Sequence, residues 1–131
     1  MHYGDYIANV TRMAVELVNT GSARGVSPEM FDEHEIVPPS EAELAPLLPL
    51  LRAVLDAITS GGGIDPVNRL LTTYPPHLHV SAHDGIAHLH HAREGSEGLQ
   101  WIGRTCAAGL AHVACGAPDV SARPCRWSRS C

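Results

Sequence analysis

Residues 77–92 read HLHVSAHDGIAHLHHA. Two runs of alternating character flank Asp84-Gly85, a dipeptide that tolerates the positive φ angles of a tight reversal, so the segment is expected to form a β-hairpin. A two-residue turn at Asp84-Gly85 sets the register. His83 faces Ile86, Ala82 faces Ala87, Ser81 faces His88, Val80 faces Leu89, His79 faces His90 and Leu78 faces His91. Side chains alternate between the two faces of a strand. One face then carries Leu78, Val80, Ala82, Ala87, Leu89 and His91, and is expected to seek the core. The other carries His77, His79, Ser81, His83, Ile86, His88 and His90, gathering five of the nine histidines. A slip of one residue would mix the faces, so the register should be well specified.

The chain has 131 residues, which suits one domain with one core. Hydrophobic residues make up 44%, enough for a globular fold, and aromatics only 5%, so an aliphatic core of Leu, Val, Ile and Ala is expected. The formal net charge of −5 speaks against a purely electrostatic nucleic-acid binder. The end of the chain is nonetheless locally basic, with Arg123, Arg126 and Arg129. No apolar run approaches the length of about 18 residues that spans a bilayer. The start, MHYGDYIANV, lacks a basic region followed by an apolar block, so a cytoplasmic location is expected. The four cysteines, 106, 115, 125 and 131, are confined to the last quarter and do not resemble a secreted disulfide framework.

Working outward from the hairpin, residues 5–20 carry Tyr6, Val10, Met13 and Leu17 with Ile7, Ala14 and Val18 at helical spacing, Asp5 as a cap and Gly21 as a stop. Residues 21–39 read as a connection with a short turn near Ser27-Pro28-Glu29. Ser40 and Glu43 have the capping-box spacing. The stripe Leu44, Leu47, Leu48, Leu51, Val54, Leu55 and Ile58 follows, with a kink or restart expected at Pro46 and Pro49. Gly61-Gly62-Gly63 ends that helix. Asp65-Pro66 opens a short one through Leu70 or Leu71, with Asp65 as cap, and Tyr74-Pro75-Pro76 delivers the chain into the hairpin. A last helix runs from Ser96 to about Cys115, with Leu99, Ile102, Cys106, Leu110 and Val113 on one face. Its glycines 98, 103 and 109 disfavour a helix by about 1 kcal/mol each relative to Ala, so they should serve close packing. Gly116 is expected to close it in the left-handed conformation. The expected architecture is α+β, with helices packed on one face of a small antiparallel sheet built around the hairpin at residues 77–91. Residues 1–116 form the domain and residues 117–131 a cysteine-containing basic tail.

On this reading His79, His88 and His90 converge on one strand face. Three neutral imidazoles arranged so would suit zinc or another borderline metal, a small-molecule ligand, or a proton-sensitive cluster. Asn19, at the end of the first helix, and Trp101, between helix and sheet, are further ligand-binding candidates. The Arg126-Trp127-Ser128-Arg129 segment mixes basic and aromatic residues as nucleic-acid contacts do. No glycine-rich phosphate loop, Gly-x-Ser-x-Gly elbow or His-Glu-x-x-His motif is present, so no residue set nominates an enzyme. A two-stranded hairpin is marginal by itself. Either a strand from residues 21–39 joins it or a second subunit covers it, and a homodimer is expected.

Three stretches carry a family resemblance. They are AVELVNTG (residues 14–21), DPVNRLL (residues 65–71) leading into PPHLHVSAHDGIAHLHH, and the helix around Trp101 followed by the cysteine-bearing basic tail. Together they make the chain similar to the N-terminal ABATE domain of bacterial CGNR zinc-finger proteins, a family of stress-induced transcription regulators. The resemblance implies a ligand-sensing or dimerisation domain that feeds a C-terminal zinc finger. Cys125 and Cys131 would match the finger's first cysteine pair as a zinc half-site. The second pair, ending in Cys-Gly-Asn-Arg, has no counterpart here. DNA is then a partner only if the finger is completed.

Overall fold

The computed structural model describes residues 3–82, 85–93 and 95–116. The elements follow in the order α1 (Tyr3–Thr20), a 3-10 turn (Ala23–Gly25), α2 (Pro28–Glu33), α3 (Glu41–Leu44), α4 (Leu48–Ser60), α5 (Asp65–Thr73), β1 (His79–Ser81), β2 (His88–His90) and α6 (Gly98–Cys115). The fold is α+β, mostly helical with a small two-stranded antiparallel sheet.

The caps explain most of the boundaries. Gly21 ends α1 with φ +68°, a left-handed conformation without penalty for glycine. Asp5 lies inside the first turn of α1 instead of ahead of it. Ser40 Oγ accepts the Glu43 N–H at 3.1 Å while Glu43 Oε1 accepts the Ser40 N–H at 2.8 Å, which fixes the start of α3. The prolines split the next stripe as expected, because α3 ends at Leu44 and α4 restarts at Leu48 with Pro49 in its first turn. The residue ahead of α5 is Ile64. Asp65 is the first helical residue, and no side chain caps this end. Residues 21–39 supply α2 and the 3-10 turn, and no third strand joins the sheet among the described residues.

The core is centred on α6, which packs against α1, α5 and α4. Val10, Met13, Ala14 and Leu17 of α1, Leu51 and Val54 of α4, Leu70 of α5 and Ile102, Cys106 and Leu110 of α6 are buried. Phe31, Tyr74 and Trp101 are buried with them, so the core is less purely aliphatic than composition suggests. The glycines of α6 admit neighbours. A Cβ on Gly103 would strike the ring of Tyr74, one on Gly109 would strike Val10, and one on Gly98 would lie 2.5 Å from the Val37 carbonyl oxygen. Gly116 closes α6 with φ −99°, outside the left-handed region, its N–H donating to His112 O at 2.9 Å. The expected left-handed cap is therefore not used, because an ordinary helical-type bond already satisfies that carbonyl.

The hairpin has the register read from the sequence. His79 pairs with His90, Val80 with Leu89 and Ser81 with His88. Beyond the strands the His77 N–H donates to His91 O at 3.0 Å, one residue out of that register, since Leu78 is the residue expected to face His91. At the reversal the Gly85 N–H donates to Ala82 O at 2.9 Å, with Gly85 at φ +86°, so the bond spans Ala82 to Gly85 instead of closing a two-residue Asp84-Gly85 turn between His83 and Ile86. Asp84 lies outside the described residues.

Within the strands the assignment of faces is the opposite of that expected, while beyond them His91 is buried and His77 and Ile86 are exposed, as the expected faces had it. Leu78, Val80 and Leu89 point outward, 71%, 65% and 41% exposed, and Ala82 and Ala87 are exposed too. Ser81 and His90 are buried on the inner side and His79 is half-buried. The strands are three residues long, so little aliphatic area is at stake. The helices already fill the core without them. An imidazole has an apolar body and polar tips, and it finds partners on this inner side.

Candidate functional site

The inner side of the hairpin is where the side chains of chemical interest meet. His34, the residue after α2, is buried, and its Nδ1 lies 2.7 Å from the Met30 carbonyl oxygen. A carbonyl only accepts, so Nδ1 carries the proton and donates. The His34 ring centroid is 4.8 Å from that of His90 and 4.9 Å from that of Trp101, and Trp101 lies 6.4 Å from Phe31. The result is a continuous row of rings, Phe31, Trp101, His34 and His90, running from α2 across α6 to β2. The Gly95 N–H donates to His34 O at 3.0 Å and holds the exit of the hairpin to the end of α2.

Two further contacts seat the hairpin on α6. His91 is buried, with its ring 6.2 Å from that of His112. Burial, with a smaller contribution from His112, pushes the His91 pKa below the ordinary histidine value. Arg104 Nη1 lies 2.8 Å from Pro75 O and 2.7 Å from His77 Nε2. A guanidinium has only donors, so His77 accepts through Nε2 and carries its proton on Nδ1.

Of the five ligand-binding candidates, the structure brings His90 and Trp101 to the same residue, His34. His79 lies beside them as the pairing partner of His90. His88 pairs with Ser81. Asn19 is exposed in the last turn of α1, on a different element. Among the described residues, no three or more His, Cys, Asp or Glu side chains are grouped so as to hold a metal ion. Cys125 and Cys131 lie outside the described residues. No helix of the described residues is long and apolar enough to cross a membrane.

His34, Arg104 and His112 had no local signature. Each belongs to another element, and each becomes part of the site only through packing across long sequence separations. Surface clefts lie elsewhere. One of about 460 Å³ is lined by residues including Ser22, Arg24, Val26, Phe31 and Glu41, and another of about 260 Å³ by residues including Glu35, Glu43 and Glu97. Arg24 and Glu41 face each other across 3.4 Å at the rim of the first, fully enough in solvent that their pairing adds little stability.

No protein-family model, curated protein or solved structure matches the chain.

Proposed function

We propose that this chain is the dimerisation and sensing domain of a transcription regulator, with residues 117–131 contributing to a C-terminal zinc finger. The reading joins the resemblance to the ABATE domain with one observation, the outward-facing apolar side of the hairpin. Leu78, Val80 and Leu89 stand exposed on it without a charged residue among them. The sheet behind them has only two strands. A second copy placed about a two-fold axis would cover this side with the same residues, as an isologous interface requires. α1 and α5, which carry two of the resembling stretches, both pack on α6, which carries Trp101.

Dimerisation bears on the tail as well. Cys125 and Cys131 supply two thiolates per chain, and a structural zinc takes four ligands. Two chains together hold the full number, so one zinc per dimer is expected.

The experiment is light scattering on the purified chain, beside zinc analysis and gel retardation with genomic DNA fragments. A dimer holding half a zinc per chain and retarding DNA supports the reading, with zinc lost on Cys125→Ser and retardation lost when residues 117–131 are removed. A monomer at every concentration, free of zinc, overturns it.

A further inference from the structure

We propose that the segment from Arg123 to Arg129 docks on its own chain, in the trough that crosses Pro38 and Pro39, with Trp127 in the apolar groove and its arginines against the acidic rim. The inference concerns a surface apart from the hairpin and does not rest on the regulatory reading above.

The two clefts form one trough, because Pro38 and Pro39 line both. The larger, of about 460 Å³, is walled by Val26, Pro28 and Phe31 beside the two prolines. That volume falls in the range of about 300–1,000 Å³ typical of binding clefts. The smaller is lined by Glu35, Glu43 and Glu97, all exposed. Glu41 at the rim of the larger pairs with Arg24, whereas Glu35, Glu43 and Glu97 form no ion pair among the described residues. The trough therefore asks for an apolar side chain flanked by cations.

The chain itself carries such a segment, and the charges complement each other. Residues 1–116 hold thirteen acidic and six basic residues, a net −7, and residues 117–131 hold one acidic and three basic, a net +2. Six of the thirteen acids fall within residues 27–43, which contain no Lys or Arg. In Arg123-Pro124-Cys125-Arg126-Trp127-Ser128-Arg129 the indole stands between arginines, and no acid interrupts them.

The segment is long enough to reach. Gly98 packs on Val37 and Pro39, which places the trough at the N-terminal end of α6. The 18 residues of α6 span about 27 Å at about 1.5 Å each. Trp127 lies eleven residues beyond Gly116, and an extended chain covers about 36 Å over that length. A short tether gives an effective concentration of about 1 mM, so a site with a dissociation constant of about 0.5 mM is filled about two-thirds of the time. Docking holds Arg123, Arg126 and Arg129 against carboxylates and withholds them from any other anion.

The test is acrylamide quenching of tryptophan emission in the full chain, with reductant and a metal chelator present so that Cys125 and Cys131 hold neither a disulfide nor zinc. Trp101 is buried, and its contribution is read from Trp127→Phe and subtracted. The quenching constant of Trp127 should lie about threefold or more below that of a synthetic peptide of residues 117–131, as two-thirds occupancy requires. It should stay the same across about a hundredfold dilution, because the contact is within one chain. The shielding should weaken in about 1 M salt, where the screening length is about 3 Å, and in Glu41→Lys combined with Glu97→Lys, both at exposed positions. Quenching equal to that of the peptide overturns the proposal. Shielding that fades on dilution places the segment on a second copy and overturns docking within the chain. Shielding indifferent to both salt and the double substitution overturns the trough as its seat. None of these outcomes bears on dimerisation through the hairpin, which light scattering reads separately.

Discussion

The ring of Tyr74 occupies the space that a Cβ at position 103 would fill. Tyr74 ends α5 and is buried, and Gly103 lies in the middle of α6, so this contact sets how closely the two helices approach. Gly103→Ala should therefore destabilise the fold by about 1–3 kcal/mol through overpacking, even though alanine favours a helix by about 1 kcal/mol over glycine. Urea unfolding followed by circular dichroism measures it. A stabilised variant would show that the two helices are free to shift apart.

Gly109 and Val10 stand in the same relationship between α6 and α1. Gly109→Ala alone should be destabilising, and Val10→Ala alone should cost the usual cavity penalty. The double variant should recover part of the loss, with a coupling of about 0.5–3 kcal/mol, because shrinking Val10 makes the room that the new methyl needs. Strict additivity in a double-mutant cycle would place the two residues out of contact.

The cysteines of α6 should differ sharply in reactivity. Cys106 is fully buried, and burial pushes its thiol up to about 12, whereas Cys115 is exposed at the end of the helix. The thiolate is the nucleophile. At neutral pH a thiol reagent should therefore label Cys115 at once and Cys106 only on unfolding, with peptide mapping by mass spectrometry to distinguish them. Rapid labelling of Cys106 in the native protein would contradict its burial.

Ser40 and Glu43 satisfy each other's backbone N–H groups at the start of α3. Ser40→Ala should cost about 1 kcal/mol. Glu43→Gln should cost less, since an amide oxygen still accepts from the Ser40 N–H. Thermal melts of the two variants give the order, and an equal loss in both would assign the effect to the carboxylate charge.

Charge placed on the outer side of the hairpin should act on association and leave the fold intact. Val80 is exposed and Leu89 lies opposite it. Val80→Glu should shift light scattering toward a monomer with an unchanged circular dichroism spectrum. Loss of the fold instead would mean that Val80 belongs to the core.

The parts of this fold that were legible in the sequence are those set by local rules. The Ser40–Glu43 spacing, the prolines that divide α3 from α4, the helix stops at Gly21 and Gly61, and the register of the strands all depend on residues a few positions apart. The glycines of α6 were legible as packing sites, though not their neighbours. The side of the hairpin that faces inward was not legible. Alternation divides the residues into two sets and hydrophobicity then chooses between them, but here the choice fell to His34, Trp101 and Arg104, which lie on other elements. For the same reason the site was half visible. His90 and Trp101 could be named from their own stretches, while His34, which joins them, could not.

The central claim is that the hairpin turns Ser81 and His90 toward the helices and Leu78, Val80 and Leu89 outward. Single cysteines at neighbouring positions of β1 test it most directly, with the rate of thiol labelling read at each site by mass spectrometry. Val80→Cys should react nearly as fast as a thiol in an unfolded peptide, or do so once the protein is diluted to monomer, while Ser81→Cys should be slowed by about tenfold or more, as a buried thiol is. A protected position 80 beside a freely labelled position 81 in the monomer would contradict the arrangement, and the row from Phe31 to His90 would fall with it.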